Sequence, residues 1–505
     1  MNISLLLVVP VLLPVFSGLL MGFFPLMRFE RIQRVFFTGI LVLNAAVVLA
    51  IIASGGMEIK LFHLTDTLPI LLKTDDLTYL FIALASLVFI LVSIYCPVYM
   101  RHEGSAPRFY MFFLFVVGMV TGFGLSGNLI TLYLFFEMAT LLSMPLVLHS
   151  LTKEAISAAF KYVYFSIAGA AFALIGIFYI FTYGTTLEFT PGGVLDMEKL
   201  KAYGSEGQML FVTLLAIIGF GAKAGMFPLH AWLPIAHPVA PAPASAILSG
   251  LITKVGIFAV MRFSYYLVGP DFIRGTFVQT AWICIALFTG IMGSLMAFKE
   301  PLLKRRLAYS TISQIGYIMF ALAILTADGF VGALLQVVFH STAKNAVFLI
   351  AGAIIITTHK THVADLRGIG KQMPYSIWCF ALASLSLVGI PPLAGFTGKW
   401  YLATGSLEAD IGVFTWLGPA ILLLSALLAA AYLMPIVING FFPGRGNSVA
   451  DNHAAGGDGA APYEKHEAGF SMLLPIILFA AAALILGIFP DALITLLQRI
   501  AYGVM

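Results

Sequence analysis

The sequence predicts an all-α integral membrane protein of about fourteen transmembrane helices. Three observations carry that expectation. Hydrophobic residues make up 61% of the 505. Charged residues are only 10%, against about 25% in soluble chains. Long uncharged apolar runs recur from one end to the other. So little polar side chain cannot wet a globule of this size, which excludes a soluble enzyme, a nucleic-acid binder and a secreted disulfide scaffold. Each span must satisfy its own backbone, and many runs exceed about 18 residues, so they are helices rather than barrel strands. The net charge of +4 needs no nucleic-acid partner, since Lys and Arg in the loops of a membrane protein produce it.

The first run, 2–24, has no basic residue before it and no clear small-residue cleavage site. It reads as a span rather than a removable signal. The second run is 33–54. Residues 55–76 alternate apolar and polar through Glu58-Ile-Lys-Leu-Phe-His and predict a small hairpin on the outer face. Spans three to six follow at 77–99, 108–126, 129–149 and 155–183. Span seven, 208–236, is broken at Pro228, because proline lacks the backbone N–H of a helix interior. Spans eight to eleven are 243–266, 275–298, 306–326 and 331–357. Span twelve, 375–405, is broken around Gly389-Ile-Pro-Pro, and span thirteen is 413–441. Residues 443–469 are Gly/Ala/Asp-rich and read as a flexible cytoplasmic loop. The last span, 470–497, is broken between Gly487 and Pro490. The domains are then 1–106 (helices 1–3 with the outer hairpin), 107–266 (helices 4–8), 267–442 (helices 9–13), the loop 443–469, and 470–505 with helix 14.

Basic residues set the orientation. The odd-numbered loops hold Arg28, Arg31, Arg34, Arg101, Arg108, Lys153, Lys299, Lys304, Arg305, Arg306, Lys360, Arg367, Lys371, Arg445 and Lys465. The even loops and the tail hold only Lys60, Lys73, Lys199, Lys201, Arg262, Arg274 and Arg499. The odd loops are therefore expected on the cytoplasmic side of the inner (cytoplasmic) membrane. An even span count then puts both termini on the outer face.

Five basic residues of the 27 remain inside spans: Lys161, Lys223, Lys254, Lys344 and Lys399. Glu137 and His340 also lie mid-span, and His230 sits at a helix break. A charge in hydrocarbon costs about 2.5–3.5 kcal/mol on insertion scales, and such residues mark wet cavities, partners or ion paths. No opposite charge is near Glu137 in sequence, so its partner must come from another helix, and Lys is the available type. Such a pair is a proton switch, because separating it drives the lysine's pKa down and the acid's up, or else a static ion pair that fixes packing. Lys223 and Lys399 each sit beside a Gly/Pro break, where freed carbonyls and water make an ion site. Lys399 snorkelling to the surface is the alternative. The two breaks are five spans apart, and an odd spacing implies inverted repeats. His340 and Lys344 share one helix face at i, i+4, and Lys254 is mid-span. His230 and His237 lie in a Pro-rich segment, as a proton entrance or merely its cap. Lys161 is a further candidate for the entrance.

Other chemistries lack their residues. Cys96, Cys284 and Cys379 lie in apolar runs without CxxC spacing and ligate neither an iron–sulfur cluster nor zinc. Phosphate-binding, zinc-protease and paired-carboxylate motifs are not found. No cofactor or metal is expected.

The stretch from Lys223 to Arg262, with Pro-Leu-His-Ala-Trp-Leu-Pro-Ile-Ala-His-Pro-Val-Ala-Pro-Ala-Pro-Ala-Ser-Ala-Ile-Leu-Ser-Gly-Leu-Ile-Thr-Lys-Val-Gly, carries a family resemblance. Arg305-Arg-Leu-Ala-Tyr-Ser-Thr-Ile-Ser-Gln-Ile-Gly-Tyr and Gly389-Ile-Pro-Pro-Leu-Ala-Gly-Phe add to it. The chain resembles the antiporter-like membrane subunits shared by respiratory complex I, Mrp-type Na+/H+ antiporters and membrane-bound energy-converting hydrogenases, over nearly its whole length. The resemblance implies fourteen helices with two inverted five-helix repeats, helices 4–8 and 9–13, and broken helices 7 and 12. It implies that Glu137, Lys223, Lys254, His340, Lys344 and Lys399 translocate protons, driven by redox chemistry in a neighbouring subunit. Ile235 departs from the acid or small residue that many relatives carry there, which weakens a proton-entrance role for its loop. The tail is too short for the lateral helix of the largest complex I homologue, and the Pro/Ala run looks most like the hydrogenase or Mrp branches.

The expectation is thus a proton-translocating subunit of a redox-driven membrane complex, without redox chemistry of its own. Its partners are other membrane subunits, further antiporter-like ones among them, and the lipid bilayer. A Mrp-type Na+/H+ antiporter subunit is the alternative, and a static anchor the third reading.

Overall fold

A computed structural model of the chain describes residues 3–24, 27, 29–65, 68–443 and 465–505. Helices of eight residues or more are numbered here in chain order. Among the described residues eleven are long and apolar enough to cross a membrane, so the chain is an integral, multi-pass membrane protein. They begin with α2 (Glu30–Ser54), α3 (Asp76–Glu103), α4 (Ala106–Gly124), α5 (Leu129–Val147), α6 (Lys153–Tyr183) and α7 (Glu206–Ala224). After α8 (Trp232–Val239) come α9 (Ala242–Val268), α10 (Phe277–Lys299) and, past α11, α12 (Ala327–Thr358). The last two are α15 (Phe414–Phe441) and α16 (Phe470–Ile488).

The other segments expected as spans differ in physical ways. α1 (Val9–Phe23) and α13 (Pro374–Val388) are apolar but shorter than 18 residues. α11 (Leu303–Ala323) is long enough, but it opens on Lys304-Arg-Arg and carries a polar stripe, which lowers its hydropathy. The twelfth expected span is two helices, α13 and α14 (Ala394–Glu408). The last span ends at Ile488, and a separate helix, α17 (Asp491–Tyr502), follows. Most of the expected loop 443–469 lies outside the described residues, as do Arg28 and Arg445.

Side-chain caps start several helices where the sequence supplies Asp, Asn or Thr. Asp75 accepts from the Thr78 N–H at 2.8 Å, Asn128 from Thr131 at 2.8 Å and Thr152 from Ala155 at 3.2 Å. The expected hairpin is present. β1 (Glu58–Thr65) pairs antiparallel with β2 (Leu68–Lys73), with Glu58 opposite Lys73.

α10 and α11 meet through glycines, as membrane helices do where close approach replaces hydrophobic drive. A Cβ on Gly293 would lie 2.5 Å from the Ser313 nitrogen, and one on Gly316 would collide with the Gly290 backbone. α9 is buried throughout, and α12 is nearly so, whereas α2, α15 and α16 leave most of their surface outward. The core therefore sits around α9, α11 and α12, and these three helices hold most of the buried charge.

Candidate functional site

Helix α7 ends at Gly225, whose φ of 90° only glycine adopts freely. The chain then turns back, and the Trp232 indole N–H donates at 2.9 Å to the Ala222 carbonyl, which also accepts from the Gly225 N–H. The turn fixes Lys223 in the last turn of α7, fully buried. Its ammonium donates to the Phe136 carbonyl and the Thr140 hydroxyl of α5 and lies 3.9 Å from the Phe136 ring centroid. Glu137, between those partners in sequence, is half-buried, and its Oε1 is buried without a hydrogen-bond partner. Among the described residues Glu137 and Lys223 form no direct ion pair, although each lies within range of the other's charge. The lysine is held by neutral oxygens of the acid's own helix.

α9 packs on α7 beside this point, since a Cβ on Gly256 would lie 2.8 Å from the Phe220 carbonyl. Two residues earlier, Lys254 donates to the Ser249 carbonyl at 2.8 Å and shares a hydrogen bond with His340 Nδ1 of α12 at 2.6 Å. The other ring nitrogen, His340 Nε2, is buried without a partner. Lys344, one turn along α12, donates to the Leu307 carbonyl at 3.0 Å and to Ser310 Oγ of α11 at 2.8 Å. Lys254, His340 and Lys344 are at most 1% exposed.

The second break mirrors the first. α13 ends at Gly389, also with φ 90°, and its last carbonyls lose their helical partners. Lys399 of α14 donates to two of them, Leu387 at 2.8 Å and Val388 at 2.7 Å. It lines a cavity of about 280 Å³ with Val388, Gly389, Phe396, Trp400 and Leu422. The carbonyls of the break hold Lys399, so it does not simply snorkel.

The histidines and Lys161 divide. His237 is buried with both ring nitrogens unpartnered and stacks on Phe348, centroids 4.6 Å apart. His230 is half-buried, with Nδ1 unpartnered. Lys161 is exposed on α6. The buried face of that helix is Ala155, Ala158, Ala159, Tyr162 and Ser166, so Lys161 stands apart from the buried row.

Two residues counted as loop cations are also corrected. Lys304 is 8% exposed and donates to the Ala240 carbonyl at 2.8 Å. Arg262 is 5% exposed and bonds Asp75 through both terminal nitrogens, at 2.5 and 2.7 Å. Both lie at span ends, where neighbouring helices cover them. Burial pushes the Asp75 carboxyl up, but the Arg262 guanidinium and the Thr78 hydrogen bonds outweigh it and hold the acid below its ordinary value.

Sequence reasoning also missed a pair of buried amides. Gln336 Nε2 of α12 donates to Gln314 Oε1 of α11 at 2.6 Å, and Gln314 Nε2 donates to the Leu387 carbonyl at 3.3 Å. The signal was present: Ser310, Ser313, Gln314 and Tyr317 recur at i, i+3, i+4 and i+7 after the basic first turn of the helix.

These features define a class: a polytopic membrane protein with a row of buried lysines and a histidine, the lysines bonded to backbone carbonyls and hydroxyls, and two of them, Lys223 and Lys399, beside helix breaks. Residues 126–425 match the family described as NADH:quinone oxidoreductase/Mrp antiporter, TM. The chain belongs to that family. It is 34% identical over 402 residues to NADH-quinone oxidoreductase subunit N of Desulforudis audaxviator (strain MP104C), covering 78% of this chain and 77% of the relative. It is 27% identical over 486 residues to a Na(+)/H(+) antiporter subunit of Bacillus subtilis (strain 168), covering 95% and 93%. In fold it is similar to a chain of the Mrp complex from Dietzia sp. DQ12-45-1b, with a TM-score of 0.83, 22% identity and coverage of 100% and 98%.

Proposed function

We propose that this chain is a proton-translocating subunit of a multisubunit membrane complex. Protons move along Glu137, Lys223, Lys254, His340, Lys344 and Lys399, driven by redox chemistry in a neighbouring subunit. The observation that carries the reading is the 2.6 Å hydrogen bond between Lys254 Nζ and His340 Nδ1, buried and backed by an unpartnered Nε2. A proton arriving on Lys254 has an acceptor in contact, and the ring has a second nitrogen from which to release it. His230, His237 and Lys161 are the candidate entrance residues.

The paired breaks at Gly225 and Gly389, each with a lysine beside it, support the two inverted repeats, α4–α9 and α10–α15. Counting α1, α11 and the broken α13/α14 as spans gives fourteen. The basic-residue bias supports termini on the outer face. The family's relatives in membrane complexes support further membrane subunits as partners.

In vesicles carrying the complete complex, Lys254→Ala and Glu137→Gln should abolish proton transport while the complex stays assembled. Full transport in both variants favours the static-anchor reading instead.

A second reading is a Mrp-type Na+/H+ antiporter subunit. The near full-length match to the Bacillus subtilis antiporter protein favours it. Transport that needs sodium and no electron donor selects this reading; transport that needs a donor and ignores sodium selects the first.

A further inference from the structure

Two buried sets of polar groups lie between the Lys254, His340 and Lys344 cluster and Lys399. The first is the amide link. Gln336 lies one turn before His340 on α12, and Gln336, Gln314 and the Leu387 carbonyl run in hydrogen-bond contact to Lys399. An amide nitrogen only donates and a carbonyl oxygen only accepts. A proton reaching Gln336 Oε1 has no way onward without changing the amide itself. This path holds the helices in register and conducts poorly.

The second path consists of hydroxyls, each of which donates and accepts at one atom. Lys344 donates to Ser310 Oγ at 2.8 Å. The Tyr432 hydroxyl of α15 faces Ser310 and Ser294 but has no partner in hydrogen-bond geometry with either. Ser294 of α10, Ser313 of α11 and Ser425 of α15 close a ring at 2.8, 2.7 and 3.0 Å. The Tyr317 hydroxyl faces Ser313 and Ser425 and donates to the Leu422 carbonyl at 3.4 Å. The Tyr317 ring carries Lys399 Nζ 4.9 Å from its centroid, and Leu422 lines the same cavity as Lys399. All six hydroxyl-bearing residues are at most 1% exposed. The glycine contact of α10 with α11 is what lets Ser294 reach Ser313.

We infer that Ser310, Tyr432, the Ser294–Ser313–Ser425 ring and Tyr317 form a hydroxyl proton route from Lys344 to Lys399. The inference rests on the proton-moving reading above. In one passage Lys344 gives a proton to the Ser310 oxygen while Ser310 gives its own to Tyr432. Tyr432 does the same to Ser294, the ring passes the charge to Tyr317, and water in the cavity delivers a proton to the Lys399 amine. Each oxygen loses one O–H bond and gains one. The net change is one proton fewer on Lys344 and one more on Lys399. Rotation of the hydroxyls then resets the chain. The orphaned Tyr432 hydroxyl is the movable link, because no fixed partner has to release it.

The test measures proton uptake with a pH-sensitive dye in vesicles holding the complete complex, with assembly followed on native gels. Tyr432→Phe and Ser294→Ala each remove one oxygen, and each is expected to slow transport about tenfold or more in an intact complex. Ser294 is the ring member that Tyr432 faces, whereas loss of Ser425 would leave the direct Ser294–Ser313 contact. The solvent deuterium isotope effect on the residual rate should change, which a purely packing role leaves alone. Lys344→Ala is expected to abolish transport. Wild-type rates in Tyr432→Phe and Ser294→Ala with Lys344→Ala inactive overturn the hydroxyl route and leave the charged row standing. Wild-type rates in all three overturn the row as well. Should Tyr432→Phe disrupt assembly, Ser294→Ala decides.

Discussion

Lys254 and His340 belong to different helices and meet at 2.6 Å in the interior of the protein, with no carboxylate among the described residues acting on either. An amine and an imidazole this close cannot both carry charge at low energetic cost. The pair is built to hold one proton between two basic sites, which is the property a relay needs.

Replacing His340 by Ala should leave Lys254 with only the Ser249 carbonyl and a weak 3.4 Å contact to Thr253. Proton transport is expected to fall about a hundredfold, the usual scale for loss of a positioned acid–base group. Dye-reported uptake in vesicles with the intact complex measures it. A rate within twofold of wild type rules out a relay role.

Thr140 is a sharper probe of the first half than Lys223 itself. Thr140→Val keeps the shape and removes the hydroxyl that accepts from Lys223. The ammonium should then turn toward the unpartnered Glu137 Oε1. The expected result is a several-fold change in transport rate with unchanged assembly, and restoration by Thr140→Ser.

Asp75 and Arg262 make a stability prediction with a defined pH sign. The folded carboxyl titrates below its ordinary value. Its contribution is therefore complete above the unfolded value, about 3.9, and disappears as pH falls through the lower folded value. Asp75→Ala strands a buried guanidinium and should destabilise by about 1–3 kcal/mol, less than for a fully dry pair, since the Asp75 side chain is 39% exposed. Thermal unfolding of the detergent-solubilised complex at neutral and acidic pH reads both effects. Equal midpoints for variant and wild type at neutral pH contradict it.

Gly316→Ala places a methyl group against the Gly290 backbone. Forcing α10 away from α11 should cost about 1–3 kcal/mol and separate Ser294 from Ser313. Lower yield of assembled complex and a lower unfolding midpoint are the expected readouts.

The multi-pass helical architecture, the three helix breaks and the hairpin were legible in the sequence, because hydropathy and Gly/Pro punctuation report local properties. Glu137, Lys223, Lys254, His340, Lys344 and Lys399 stood out because each is costly in hydrocarbon. Their partners were not legible. Lys223 pairs with oxygens 83 and 87 residues away, a result of helix packing rather than of spacing. Lys304 and Arg262 were counted with the loops because a charge tally cannot see neighbouring helices close over a span end. Lys161 drew attention as a charge in an apolar run, but one face of α6 is open and accommodates it. The serine ring escaped notice because hydroxyls scarcely lower hydropathy, although their spacing on α11 was visible.

The burial of α9 constrains biogenesis. A helix with Lys254 and Arg262 in its sequence and protein on all sides has no stable resting place among lipid tails by itself. It must be sheltered as it leaves the ribosome's insertion machinery, and α12, which supplies the acceptor for Lys254, is translated well after it. Chains stopped at Val268 should therefore be retained by membrane quality control and degraded faster than chains continued through Thr358.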